Sequence, residues 1–279
     1  MHVSLDSALG RQRRLNSVGE SVLQIAPSAT AAYSLRSLTG GDPDVVRVRR
    51  DTGGGAGDND EEDFTASGIS SGALVDFVGS GNDGFVDTWY DQSGNGSDAV
   101  QATAGSQPKI VSSGSLIAGG LRFDDAQKLE TAGTFSFASG TTLSTFLTNK
   151  SDGDETSYVF RFLSNYIILN TASGLRRVTA GTNANAGTAS GSEELWSTIS
   201  TLNTSGGTTN FFVDGTLASS ADANIGTKVV SPARNLNIGG NSSSNHWNGT
   251  VNEVIFYATD QTSNRPALDA NIISHYGIS

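Results

Sequence analysis

Phe211-Phe212-Val213-Asp214-Gly215 is a run of large apolar residues that stops at an Asp-Gly pair. Asp-Gly between strands is a strong mark of a two-residue hairpin, because a type I′ turn needs φ > 0 at both central positions. A strand over Asn210 to Asp214 that folds back on itself is therefore predicted. Outward from it the same rhythm repeats. Strands are predicted at Ala31–Arg36, Val45–Arg50, Phe85–Tyr90, Gly120–Asp125, Leu143–Leu147, Tyr158–Leu163 and Tyr166–Leu169, then at Leu195–Leu202, Arg234–Ile238 and Val251–Tyr257. Between Val45 and Arg50, Val46 and Val48 alternate with Arg47 and Arg49, the period of two that turns one face inward and one to water. Turn pairs separate the later strands at Asp152-Gly153, Ser173-Gly174 and Gly239-Gly240. Short strands at this spacing predict an all-β, antiparallel β-sandwich.

Two short peripheral helices complete it. Ser71 reads as the cap of a helix over Ala73–Val78 that Gly79 ends. Asn264 caps a second over Arg265–Tyr276, with Pro266 in the first turn, where its missing N–H costs nothing. Residues 29–279 form the sandwich. Residues 1–28 read as an N-terminal arm for assembly: Arg11, Arg13 and Arg14 precede Leu15, Val18, Val22, Leu23 and Ile25. Five aliphatic residues would otherwise sit in water, which favours docking on a partner over a loose end.

Composition supports the same class. The chain has 279 residues, of which 36% are hydrophobic and 34 are Gly, suiting many strands and turns rather than a helical bundle. A net charge of −11 disfavours nucleic acid as a partner. The absence of cysteine excludes disulfides, thiolate metal sites and thiol catalysis. No run approaches 18 apolar residues, so no membrane insertion is expected. The start, Met1-His2-Val3-Ser4, has neither the charged nor the apolar region of an export signal. A particle released by lysis, or a non-classical route, is then the expected way out of the cell.

Few motifs carry chemistry. His2, His246 and His275 share no metal-ligand spacing, and no nucleophile elbow, P-loop or dinucleotide fingerprint occurs. His246 reads as a turn residue beside a buried Trp. The acidic, Gly-rich segment Asp51 to Asp63 reads as a solvated loop. Asp91-x-Ser93-x-Asn95-Gly96 spaces oxygens like the start of a calcium loop, yet Ala102 stands where the closing Glu is needed. A turn in which Asp91 accepts backbone N–H groups is the better reading. No cofactor is expected, and the loop leaves room for calcium without requiring it. For a glycan, Trp89, Tyr90, Asp91, Asn95, Asn241, Asn245 and Trp247 supply aromatic faces and polar side chains on or beside loops. Trp89 and Trp247 also fit the core.

Phe211 to Gly215, then Leu236-Asn237-Ile238-Gly239-Gly240 and Trp247-Asn248-Gly249-Thr250-Val251-Asn252-Glu253-Val254, resemble the closing half of concanavalin A/laminin-G-like jelly rolls. Gly120-Leu121-Arg122-Phe123-Asp124 is similar to an earlier strand of that fold. Trp89 to Gly96 is similar to a loop in the catalytic domain of family 54 α-L-arabinofuranosidases. Together with Tyr33–Arg36, Val46–Arg50 and Asp83–Val86, it also resembles modules of tailed, especially marine, phage structural proteins. A retaining glycosidase needs two carboxyl groups about 5–5.5 Å apart. In the arabinofuranosidases the acid/base Asp follows Ile-Gly-Gly, where this chain has Asn241. The nucleophile Glu aligns with Ala172. An amide moves no proton and Ala has no nucleophile, while Glu253 and Asp214 sit on a strand and in a turn that explain them.

The resemblance thus implies a non-enzymatic virion structural protein, such as a capsid decoration, fibre or tail component. It would display a lectin-like sandwich toward glycan, host surface or neighbouring subunits. The arm would meet other virion proteins, in a homo-oligomer. An arabinofuranosidase-like hydrolase and a free lectin are the alternatives.

Overall fold

The computed structural model describes residues 19–124, 126–138, 140–153, 156–162, 166–170, 175–180, 182–201, 207–223, 230–240 and 245–279. In chain order the strands begin with β1 Ala31–Ser34, β2 Asp44–Asp51, β3 Glu61–Thr65, β4 Asp83–Trp89, β5 Ala99–Val100, β6 Lys109–Ser112 and β7 Ser115–Leu116. Then come β8 Leu121–Phe123, β9 Leu129–Thr131, β10 Phe135–Phe137, β11 Thr142–Ser151, β12 Ser157–Phe162, β13 Tyr166–Asn170 and β14 Leu175–Ala180. The last are β15 Thr182–Thr188, β16 Glu194–Thr201, β17 Gly207–Val213, β18 Thr216–Ala223, β19 Val230–Arg234, β20 Leu236–Ile238 and β21 Gly249–Tyr257. The helices are α1 Val22–Ile25, α2 Ala66–Ser70, α3 Ala73–Val78 and α4 Arg265–Tyr276.

The strands stack as an antiparallel sandwich. One layer runs β1-β21-β11-β16-β17-β18. The other runs β3-β2-β4-β5-β9-β20-β12-β13-β14-β15. β8 pairs with β21 and, through Arg122, with β6, so hydrogen bonding passes from one layer to the other. The predicted hairpin is there: Asp214 and Gly215 have φ of 49° and 77° and join β17 to β18.

β21 shows how the core divides. Its nine residues are all buried. Val254 and Phe256 point between the layers, where the Phe256 ring lies 4.7 Å from that of Phe162 on β12. Ile255 and Tyr257 point the other way, into a second cluster with Val22, Ala26, Leu268 and Ile272. A strand covered on both faces carries a near-continuous apolar run, and Val254-Ile255-Phe256-Tyr257 is one.

That second cluster corrects the reading of the arm. Val22 is fully buried under α4, Leu23 and Ile25 pack on the same cluster, and Asn271 donates to the Glu20 carbonyl at 2.7 Å. Val22, Leu23 and Ile25 are therefore spent on this chain's own outer face. Their aliphatic surface finds its cover intramolecularly. Arg11, Arg13, Arg14, Leu15 and Val18 lie outside the described residues. Val22→Asp would place an unpaired charge among Ile255, Leu268 and Ile272. It is expected to cost about 3 kcal/mol, seen as a fall of roughly 6–12 °C in melting temperature.

Three local expectations change. The acidic segment is not all loop, because β3 begins at Glu61 and pairs with β2. Its acids serve the arginines of β2: Asp63 accepts from Arg47 at 2.8 Å, and Asp60 from Arg50 at 2.5 Å. Arg49 is not turned to water. It is 7% exposed, donating to Gln107 and Asn59 with its guanidinium over the Phe85 ring. Ser71 ends α2, and the cap of α3 is Gly72, whose φ of 92° suits a residue without a side chain.

Candidate functional site

The residues nominated for glycan binding do not form one surface. Asp91 is the hub of a tight turn: its carboxylate accepts from the N–H groups of Ala32, Ser93 and Ser97 and from the Ser93 hydroxyl, at 2.7 to 3.0 Å. Those four donors occupy it as the sequence reading of the loop expects. Asn95 donates to the carbonyls of Ala29 and Thr30, fastening the loop to the start of β1. Tyr90 donates to Asp63 at 2.7 Å, and burial followed by that carboxylate pushes its phenol pKa up. Trp89 is fully buried between the layers, its ring 5.7 Å from that of Tyr33. Trp247 is fully buried as well. Neither ring offers a face to a sugar at the surface, because the core uses both.

Position separates them further. Ala31 pairs with Phe256 and Ala32 with Ile255, so the Asp91–Asn95 loop sits at the C-terminal end of β21. Trp247 precedes the other end, Gly249. Phe256 and Gly249 are seven positions apart along the strand, about 23 Å. Asn245, with φ of 54°, accepts from Tyr158 N–H through its carbonyl and stays at the Trp247 end. Asn241 and Ala172 lie outside the described residues. Among the described residues no group of His, Asp or Glu is arranged to hold a metal ion.

The Trp247 end has its own chemistry. The Trp247 N–H donates to the Gly239 carbonyl at 2.8 Å, and Gly239 N–H to Val159 at 3.0 Å. A Cβ on Gly239 would fall 2.1 Å from the Phe123 ring, so only glycine allows this approach. The Trp247 ring meets Trp196 edge to face at 6.0 Å. Trp196 and Glu194 alternate on the inward face of β16, opposite Leu147 and Asn149 of β11.

Glu194 holds the two layers together here. It accepts from Arg176 Nε on β14 and Trp196 Nε1, at 2.6 and 2.7 Å, and from Ser190 N–H at 2.8 Å. Burial pushes its carboxyl pKa up, but Arg176, Ser190 and Trp196 outweigh that and hold it below the ordinary range. A carboxylate so held is a poor proton donor. The two carboxylates considered for hydrolysis differ: Glu253 accepts four hydrogen bonds, while Asp214 accepts one and burial pushes its carboxyl above the ordinary range. Glu253, fully buried, accepts from Arg36 Nε at 2.7 Å, Ser34 at 2.9 Å and Tyr276 at 3.1 Å. Asp214 accepts from Leu195 N–H at 2.8 Å inside its turn.

Asn149 is different. It is 1% exposed, and neither its amide nitrogen nor its amide oxygen has a hydrogen-bond partner; Trp247 Nε1 has none either. An unpaired buried polar group costs about 1–3 kcal/mol, and such groups in native folds usually have a function or an absent partner. The sequence reading missed Asn149 because it ended the strand at Leu147. The polar Thr148-Asn149-Lys150-Ser151 tail carries no apolar alternation, yet β11 continues through it.

No protein-family model matches this chain, and no curated protein does. Solved structures do. An arabinofuranosidase complexed with arabinofuranosyl-α-1,2-xylobiose superposes with a TM-score of 0.61 at 13% identity, covering 87% of this chain and 62% of that one. A mutant of a GH54 α-L-arabinofuranosidase soaked with 4-nitrophenyl α-L-arabinofuranoside gives the same values. The same coverage holds for a GH54 enzyme soaked with a cyclic sulfate inhibitor, at a TM-score of 0.59. The chain thus spans about three-fifths of the length of these enzymes. At this identity, the feature it shares with the GH54 arabinofuranosidases is the fold of the sandwich.

Proposed function

We propose that the chain is a non-hydrolytic carbohydrate-binding sandwich whose glycan contacts the Asn149–Trp247 end. The observation that carries this reading is the buried Asn149 amide, left without partners at the end of β21 where the Trp247 indole N–H, against Gly249, is unpartnered as well. An amide offers one acceptor and two donors, a set that suits vicinal hydroxyls. The hydrogen-bonded carboxylates of Glu194 and Glu253 support binding without bond cleavage. Both unpaired groups are closed off from solvent, so binding opens this end of the sandwich.

Glycan-array screening followed by calorimetry tests the reading. Asn149→Leu is expected to abolish binding while leaving the melting temperature equal or higher, because an apolar isostere removes an unpaired group. A steep loss of stability would mean that the amide is paired within the fold, and would refute the site. Turnover of arabinofuranosyl or other aryl-glycosides would refute the non-hydrolytic part. The likeness of Trp89–Gly96 and its companion segments to tailed-phage modules supports display on a virion. Arg11, Arg13, Arg14, Leu15 and Val18 would then meet neighbouring subunits of a homo-oligomer. Absence of the protein from purified particles by mass spectrometry would remove that role.

A further inference from the structure

On the outer face of the β1-β21-β11 layer, away from Trp247, lies a pocket of about 710 Å³. It opens between α2, the 116–120 segment and the end of α4. Leu35, Ile69, Leu116 and Ile117 make an apolar wall, with Leu116 42% exposed at the rim. Glu193 and Asn252 stand in the polar part. Asn252 is there because of a bulge. The β11–β21 register steps from Thr148↔Glu253 to Asn149↔Val251, leaving Asn252 as the extra residue. Its amide nitrogen donates to Glu193. Gly120 permits this, since a Cβ there would lie 2.2 Å from the Asn252 Oδ1.

The charges around this pocket are unbalanced. Arg36 lines it but is neutralised by Glu253, with Nε and an Nη on the two carboxylate oxygens at 2.7 and 3.0 Å. His275 is held below its usual range, by burial first and then by Arg36. The Tyr276 phenol is pushed up, by burial first and then by Glu253. Lys150 acts on Glu193 only at a distance, and among the described residues Glu193 has no ion-pair partner. Burial raises the Glu193 carboxyl to about 7, with Asn252 and Lys150 offsetting part of the rise. Glu193 is the sole carboxyl among the pocket's lining, so the arrangement offers no acid/base pair.

We propose that this pocket binds an ammonium group carried on an apolar body, with Glu193 as its counter-ion and the Leu35–Ile69–Leu116–Ile117 wall covering the apolar part. The site lies on the other face of the layer from the proposed glycan end, with Glu193 and Asn252 next in the chain to Glu194 and Val251, the register partners of Asn149. Calorimetry with n-pentylamine and its neutral isostere n-pentanol tests it. At pH 8 the amine is expected to bind at least about tenfold more tightly than the alcohol. Its affinity should weaken by about tenfold at pH 6, as Glu193 takes up a proton. Glu193→Gln is expected to bring the amine down to the alcohol's affinity.

A second measurement checks that this carboxyl is the one buried. Its folded pKa lies above the unfolded value, so its contribution to stability is complete in acid and is lost as pH rises through about 7. Glu193→Gln should therefore flatten the fall in melting temperature between pH 5 and pH 8. Equal binding of alcohol and amine, no binding of either at millimolar concentration, an unaffected Gln variant or an unchanged pH slope would each overturn the proposal.

Discussion

Glu194→Ala is expected to destabilise the chain by about 3–5 kcal/mol, because it strands a buried guanidinium. The Arg176 side chain is 11% exposed and that of Glu194 4%. Alanine returns no partner to Arg176 Nε, to the Trp196 indole or to Ser190 N–H. The loss falls between the layers, where β14 of one and β16 of the other have this pair as a tie. Pairing an apolar substitution at Glu194 with Arg176→Met should recover much of the loss, since a buried ion pair is worth little more than apolar residues of its volume. The sign with pH is fixed by the lowered carboxyl pKa of Glu194. Its contribution is present above the unfolded value of about 4.3 and is lost as pH falls through the folded one. The gap between wild type and mutant, measured by urea unfolding, should then narrow in acid. A difference below about 1 kcal/mol at pH 7 would show that the pair behaves as a solvated one.

The layers were legible where large apolar residues alternate. Val46 and Val48, Phe160 and Phe162, and Val254 and Phe256 all face the interlayer core. The 211–215 turn was legible because Asp-Gly has a single strong meaning. β15 was not: its inward residues, Ala184 and Ala186, are too small to stand out against Asn183 and Asn185. The arm misled for the opposite reason, since aliphatic spacing cannot say whose surface it covers. Val22 covers its own chain's β21.

The site suffered most from what pairing alone decides. Trp89–Asn95 and Asn245–Trp247 look alike as polar-aromatic loops, yet β1 pairs with the far end of β21 and sets them apart. Asn149 and Glu193 take their surroundings from segments far away in the chain. Asn149 lies opposite Glu194 of β16 and Val251 of β21, and Glu193 meets Asn252 at a bulge. Neither environment is written in the residues beside it.

Phe256→Ala is expected to cost about 3–5 kcal/mol, the largest loss for any apolar truncation proposed for the core. Its ring contacts Phe162 at 4.7 Å, Phe137 at 5.5 Å, Phe160 at 6.0 Å and Phe135 at 6.2 Å. These four come from two strands of different pairings, β10 and β12. Alanine therefore opens a void that no single strand can close by shifting, and the unrelaxed cavity adds to the lost transfer energy. Phe256→Leu keeps most of the volume and should cost about 1–2 kcal/mol. Tyr257→Phe, one residue on, removes only the hydroxyl bond to the Ala26 carbonyl on the outer face and should cost about 1 kcal/mol. Denaturant unfolding should give that order, with Phe256→Ala first and Tyr257→Phe last. Equal costs for Phe256→Ala and Tyr257→Phe would mean that β21 does not divide an interlayer core from a helix-covered face, and the account of the sandwich would fail with it.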